Sequence, residues 1–215
     1  LGAVDKFVVY DNIEYTKKGW INRNRMLVNG KDQFFTIPLK KDSDYLNVNQ
    51  RVIAESFQKE RLKLTGRIKG AYGKAPHFKS VSPLIDKILN YKEDNLFKFI
   101  YCSLAFICEF LNIETELVVS SQIPIDHSLK SQDKVIAVCK ALGATKYINP
   151  IGGTDLYSKE IFKENKIELN FIQSNRVEYP QFNHEFIPWL SILDVMMFNS
   201  KDRIRHFINS EYAVI

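Results

Sequence analysis

The chain has 215 residues, 45% of them hydrophobic and 26% charged, with three cysteines and a formal net charge of +5. That length and apolar content support a full core and exclude a disordered chain or a disulfide scaffold. The most apolar segment, residues 97–111, is interrupted by Lys98, Ser103 and Glu109, so no run is long enough for a helical membrane span.

Cys102, Cys108 and Cys139 fall in apolar helical patterns, which reads as buried, reduced thiols in a cytoplasmic protein. The charge is unevenly spread. Residues 1–80 carry sixteen Lys plus Arg against eight Asp plus Glu, and the remainder fourteen against seventeen. This asymmetry favours an anionic ligand near the N-terminal end. Nucleic acid is disfavoured as that ligand, because there is no zinc-ligand spacing, no RNP-like aromatic strand and no long basic helix.

Taken in order, residues 4–10 read as a buried strand, and residues 11–25, DNIEYTKKGWINRNR, follow directly. The segment brings together Lys17, Lys18, Arg23 and Arg25 with Tyr15, Trp20 and Asn22, just past a strand end, where open α/β sheets place ligands. Cations suit a phosphate, an aromatic suits a ring, and an amide suits polar edges. Asp11 at its head is a candidate proton carrier. Because the chain begins at Leu1, without Met, and enters a strand at once, residues upstream are expected to be absent.

Asn29-Gly30 then marks a tight hairpin between residues 23–28 and 33–39. An extended piece over residues 46–54 leads to a helix from Ser56, which Ser56 is expected to cap, and Gly70, Gly73 and Pro76 are expected to end it. Tyr72, Lys74 and His77 thus stand together on a loop or helix end, with His77 the histidine best suited to proton transfer. Residues 80–91 and 95–111 read as core-packed helices.

The second half alternates: a strand near residues 115–121, a helix over 132–142 stopped by Gly143, a strand over 146–149, a helix over 158–165 and a strand over 167–172. Such alternation means parallel pairing. Between the middle strand and the next helix lie Asn149, Gly152, Gly153 and Tyr157, where a Gly-Gly pair lets a ligand approach the backbone. The apolar part of residues 186–198 reads as a final core helix, in which Asp194 needs a partner if buried.

The segments DKFVVYDNIEY, KKGWINRNR, FTIPLK, AYGKAPHF, ALGATKYINPIGGTDLY, VEYPQF and FIPWLSILDVMMFN, in this order across nearly the whole chain, resemble the WbqC-like proteins of bacterial surface-polysaccharide clusters. The resemblance implies a single α/β domain over residues 1–215, N-terminally incomplete, with residues 12–112 as a hairpin and helical elaboration. Its sheet would be mainly parallel and Rossmann-like, of the nucleotidyltransferase type, with helices on both faces.

The function it implies is a transferase in O-antigen or other lipopolysaccharide biosynthesis, acting on a nucleotide-linked amino sugar by acyl or aminoacyl transfer. The alternative is a non-catalytic nucleotide-sugar or carrier-binding accessory protein. Partners would be the nucleotide sugar and an acyl or aminoacyl donor or carrier protein. The catalytic candidates are His77 and Asp11. The binding candidates are Tyr15, Lys17, Lys18, Trp20, Asn22, Arg23, Arg25, Tyr72, Lys74, Asn149, Gly152, Gly153 and Tyr157. The sequence identifies neither a cofactor nor a set of metal ligands.

Overall fold

Asn29 (φ 51°) and Gly30 (φ 71°) turn the chain through the left-handed region, joining β2 (Arg23–Val28) to β3 (Lys31–Thr36) in an antiparallel ladder. Two consecutive positive φ values fit a two-residue hairpin loop, which is what Asn-Gly supplies. A side chain at Gly30 would also meet the ring of His184 at 3.0 Å. The second strand ends at Thr36, before Pro38 and earlier than the sequence pattern suggests. The computed structural model describes residues 1–215 and divides into two compact units.

The first unit comprises residues 1–10, 115–176 and 208–215. In it β1 (Lys6–Val9) pairs in parallel with β4 (Glu116–Val119), and β5 (Lys146–Pro150) pairs in parallel with β6 (Glu168–Ser174). β7 (Tyr212–Val214) adds antiparallel to β6. The alternating pattern therefore gives parallel pairing, as expected, in a mixed α/β fold. The hydrogen bonding, however, forms separate two- and three-stranded ladders, not one continuous sheet.

Its core joins Val135, Ile136 and Cys139 of α4 (Ser131–Ala141), Phe162 of α5 (Lys159–Glu164), and Ile167, Leu169 and Phe171 at β6. Gly143 (φ 65°) ends the α4 region, and Ser158 caps α5 by accepting from the Ile161 amide at 3.3 Å. Burial pushes the Cys139 thiol up to about 11, so it is an inert core group. No helix is long and apolar enough to cross a membrane.

The second unit comprises residues 11–114 and 177–207. α1 (Phe57–Tyr72) runs through Gly66 and Gly70 and ends at Gly73, one of the residues expected to stop it. Ser56 makes no side-chain cap, and its carbonyl accepts from Lys59 and Glu60 instead. α2 (Phe78–Leu89) and α3 (Leu96–Leu111) follow, the latter capped by Asn95 accepting from the Lys98 amide at 3.1 Å. Residues 46–54 are held by isolated bridges and a 3₁₀ turn, not by a strand. The apolar run near the C-terminus is irregular up to Ser191, and only α6 (Ile192–Phe198) is helical. α7 (Lys201–Ser210) and β7 were not foreseen from the sequence.

Candidate functional site

The candidate residues divide between the two units. In the second unit, Arg23 and Arg25 lie two apart on β2 and so share one face, opposite Thr36 and Phe34 of β3. The turn before β2 folds Trp20 onto that face. Gly19 makes this possible: its amide donates to the Thr16 carbonyl at 3.0 Å, and a Cβ there would lie 2.3 Å from Thr16 Oγ1.

Trp20 stacks on Phe34 with centroids 5.8 Å apart and 24° between planes. Arg23 sits 5.5 Å from the Trp20 centroid and 5.2 Å from Phe34, and Arg25 lies 5.5 Å from Trp20. Both rings remain more than half exposed, at 57% and 51%.

The two guanidiniums are partly committed. Arg23 Nε donates to the Gly19 carbonyl at 2.9 Å and its Nη2 to the Lys18 carbonyl, so this side chain staples the turn that presents Trp20. Arg25 pairs with Asp32 at 3.0 Å and donates to the Trp189 carbonyl at 2.8 Å. Trp189, 68% exposed and at φ 60°, meets Arg25 through this backbone carbonyl. An aromatic in the left-handed region is a strained conformation that its surroundings must enforce. Phe34 and Trp189 were missed at the sequence level. Phe34 was legible in principle as the cross-strand neighbour of Arg25, whereas Trp189 is 164 residues from Arg25 and carries no local signal.

The remaining predicted residues of this unit are placed differently. The Tyr15 hydroxyl donates to Asn22 Oδ1 at 2.8 Å, Asn22 Nδ2 donates to the Ile37 carbonyl at 2.8 Å, and Arg51 covers the Tyr15 ring at 4.7 Å. Tyr15 is buried, so this pair shapes the loop from within. Lys17 is exposed and pairs with Asp44 at 2.6 Å, which holds the Asp44 carboxyl below its usual range; Lys18 contributes its carbonyl to the Arg23 staple. Asp11 is buried and accepts from Asn49 Nδ2 at 2.9 Å. His77 is half-buried at the start of α2, its amide bonded to the Met197 carbonyl at 3.1 Å, and Lys74 is exposed.

Tyr72 stands at a helix end, as expected, being the last residue of α1, but it is fully buried, with its hydroxyl accepting from the Leu27 amide at 2.8 Å and donating to Asp194 Oδ1 at 2.9 Å. Asp194 Oδ2 accepts from the Tyr179 hydroxyl at 2.8 Å and from Gln181 Nε2 at 2.7 Å. Gln181 in turn accepts from the Ile187 amide at 2.7 Å. The buried aspartate thus has its partners, drawn from the end of α1 and from residues 179–181. A carboxylate this deep is tolerated because three donors converge on it. Both hydrogen-bonding positions of the Tyr72 hydroxyl are thus taken up inside the unit, by Leu27 and Asp194.

In the first unit, residues 151–156 form a 3₁₀ helix instead of an open glycine loop. Asn149 Nδ2 donates to the Tyr147 hydroxyl at 2.6 Å, and Tyr147 in turn meets Tyr157 edge-on at 6.0 Å. Burial raises the Tyr147 hydroxyl above its ordinary value. A Cβ on Gly153 would stand 2.2 Å from Asn149 Oδ1, so this glycine exists for close packing, whereas Gly152 faces open space. Gly153→Ala is therefore expected to destabilise the protein by about 1–3 kcal/mol, seen as a lower urea midpoint. Gly152→Ala should leave the midpoint nearly unchanged.

A mixed α/β protein with an exposed arginine–aromatic cluster is the class that this fold and surface define. The chain belongs to the WbqC-like protein family, whose match covers residues 1–206. It is 25% identical over 198 residues to the uncharacterized protein Rv1507c of Mycobacterium tuberculosis (strain ATCC 25618 / H37Rv), an alignment spanning 91% of this chain and 84% of that protein. No solved structure matches.

Proposed function

We propose that the Trp20–Phe34 cluster binds a nucleotide-linked sugar, and that the protein acts as a transferase on that sugar in surface-polysaccharide precursor synthesis. The observation that carries this reading is the exposed Trp20 ring, stacked on Phe34 with two guanidiniums over the rings. A base or sugar ring has an open π-face to lie on, and Arg23, Arg25 and the nearby Lys18 supply positive charge for a diphosphate. The Rossmann-like nucleotidyltransferase architecture belongs to the same proposal and draws support from the parallel pairs of the first unit.

In acyl or aminoacyl transfer, the sugar amine forms a C–N bond to the acyl carbon while the donor's ester or thioester bond breaks. The proton leaves the amine to a base, for which His77, half-exposed at the start of α2, is our candidate, with the buried Asp11 as the alternative.

Calorimetric titration with nucleotide sugars, followed by turnover assays with acyl and aminoacyl donors, tests this. Saturable binding with turnover supports the transferase. Binding without turnover supports an accessory sugar-nucleotide or carrier-binding role, and no binding refutes both.

A further inference from the structure

Arg51 carries its charge in an interior position, only 4% exposed. Its backbone is fixed there: the amide donates to the Val48 carbonyl at 3.2 Å, and the carbonyl accepts from the Leu96 amide at 2.9 Å, at the start of α3. Arginines at such depth are ordinarily paired with a carboxylate, because an ion taken out of water needs an opposite charge and a full set of hydrogen bonds.

Arg51 has neither. Its guanidinium lies 4.7 Å over the buried Tyr15 ring, Nη2 donates to the Asp44 carbonyl at 3.2 Å, and Nε is buried with no acceptor. Nε and Nη2 form the edge of the fork that grips a carboxylate or phosphate through two parallel bonds, and here one neutral carbonyl fills half of it. The Asp44 carboxylate turns instead to Lys17, at 2.6 Å. Lys17 lowers that carboxyl most, and the Arg51 charge lowers it further, so the three charged groups are close neighbours.

The loop that brings Asp44 to Arg51 is lightly held. Asp44 and Tyr45 are exposed, and the loop's own bonds are short-range: Ser43 amide to Asp42 Oδ1 at 2.7 Å, Tyr45 amide to Ser43 Oγ at 3.4 Å, and Leu46 amide to the Ser43 carbonyl at 3.5 Å. The two Asp44 contacts that tie it down are an exposed ion pair and a neutral acceptor, both weaker than charge-assisted bonds to a shared oxyanion.

We propose that Arg51 and Lys17 form a binding site for an oxyanion, a phosphate or carboxylate group of a small molecule, for which Asp44 stands in. The ligand takes the Nε and Nη2 edge of Arg51 in place of the Asp44 carbonyl, and the Lys17 ammonium in place of the Asp44 carboxylate. The exchange gives the buried Nε its acceptor and the buried charge its counter-charge. Arg23 and Arg25 take no part, so the inference does not rest on the nucleotide-sugar reading.

Thermal melting of the full chain is followed with pyrophosphate, with malonate and, as a control at equal ionic strength, with chloride. The expected result is a saturable rise with pyrophosphate or malonate and none with chloride, the stronger of the two showing whether phosphate or carboxylate is preferred. Asp44→Ala, which removes the stand-in, should bind that anion about two- to fivefold more tightly. Lys17→Ala, at an exposed position, should weaken it about tenfold.

Arg51→Met should abolish the response while melting no lower than wild type without anion, because an apolar side chain replaces an unpaired buried charge. If Arg51→Met fails to fold, the two exposed variants decide. No saturable rise in either wild type or Asp44→Ala overturns the proposal, as does equal binding by wild type, Asp44→Ala and Lys17→Ala. A response kept in Arg51→Met but lost in Trp20→Ala overturns it as well, and moves the anion to the Trp20–Phe34 cluster.

Discussion

Asp194→Ala should leave the second unit unable to hold its fold. The substitution strips the acceptor from the Tyr72 and Tyr179 hydroxyls and from Gln181 Nε2, all buried. Each orphaned donor costs about 1–3 kcal/mol, and three together approach the total net stability of a domain, about 5–15 kcal/mol. A urea unfolding curve should show loss of the cooperative transition or a midpoint displaced by several kcal/mol. Tyr72→Phe should cost less, about 1–3 kcal/mol, because it removes one hydroxyl between the Leu27 amide and the carboxylate.

The same aspartate predicts a pH dependence. Burial raises its carboxyl above the ordinary range, against the lowering by Tyr179, Tyr72 and Gln181. A raised acid holds its proton in the folded state at pH values where the unfolded chain has released it. Stability from this group is therefore highest below the ordinary carboxylate range and falls as pH rises through the folded value. Exposed carboxylates such as Asp44 and Glu168 are shifted downward and contribute with the opposite sign. The measurement is accordingly the difference in urea midpoint between wild type and Asp194→Asn across the acid range, and this difference should vary with pH.

Trp20→Ala tests the site without touching the core. The ring is 57% exposed and contacts Phe34 and two arginines, so melting should change little. Stacking on an aromatic is worth about 1–3 kcal/mol per base, so nucleotide-sugar affinity should fall about 10- to 100-fold by calorimetry. An unchanged affinity would remove Trp20 from the site. Arg23→Ala is the less discriminating variant. That side chain also holds the carbonyls of Lys18 and Gly19, so its loss loosens the turn along with any ligand contact.

Much of the local structure was legible in the residues. Asn29-Gly30, Asn95, Gly143 and Ser158 each act within a few positions of themselves, so turns and caps follow from backbone chemistry alone. The period of apolar residues likewise gave α2, α3 and α4, and the basic, aromatic character of residues 11–25 was evident before any fold was known. Local signals failed where a partner is distant. Ser56 lost its capping role to backbone bonding, and the apolar run ending at Phe198 stays irregular up to Ser191 because its backbone is taken up by Gln181 and Arg25.

What the sequence determined by itself is the family, the α/β alternation of residues 115–172 and the cationic, aromatic character of residues 11–25. Tertiary structure decided the roles within that stretch. Trp20, Arg23 and Arg25 meet Phe34 on one outer face because strand register puts them there, while Tyr15 and Asn22 are drawn inward by bonds to each other and to Ile37. It also decided that Tyr72, Tyr179, Gln181 and Asp194 converge, across as many as 122 residues of chain. The physical reason is the same in both cases: a side chain's exposure and partners are set by contacts that close long loops, and no local pattern encodes which loops close.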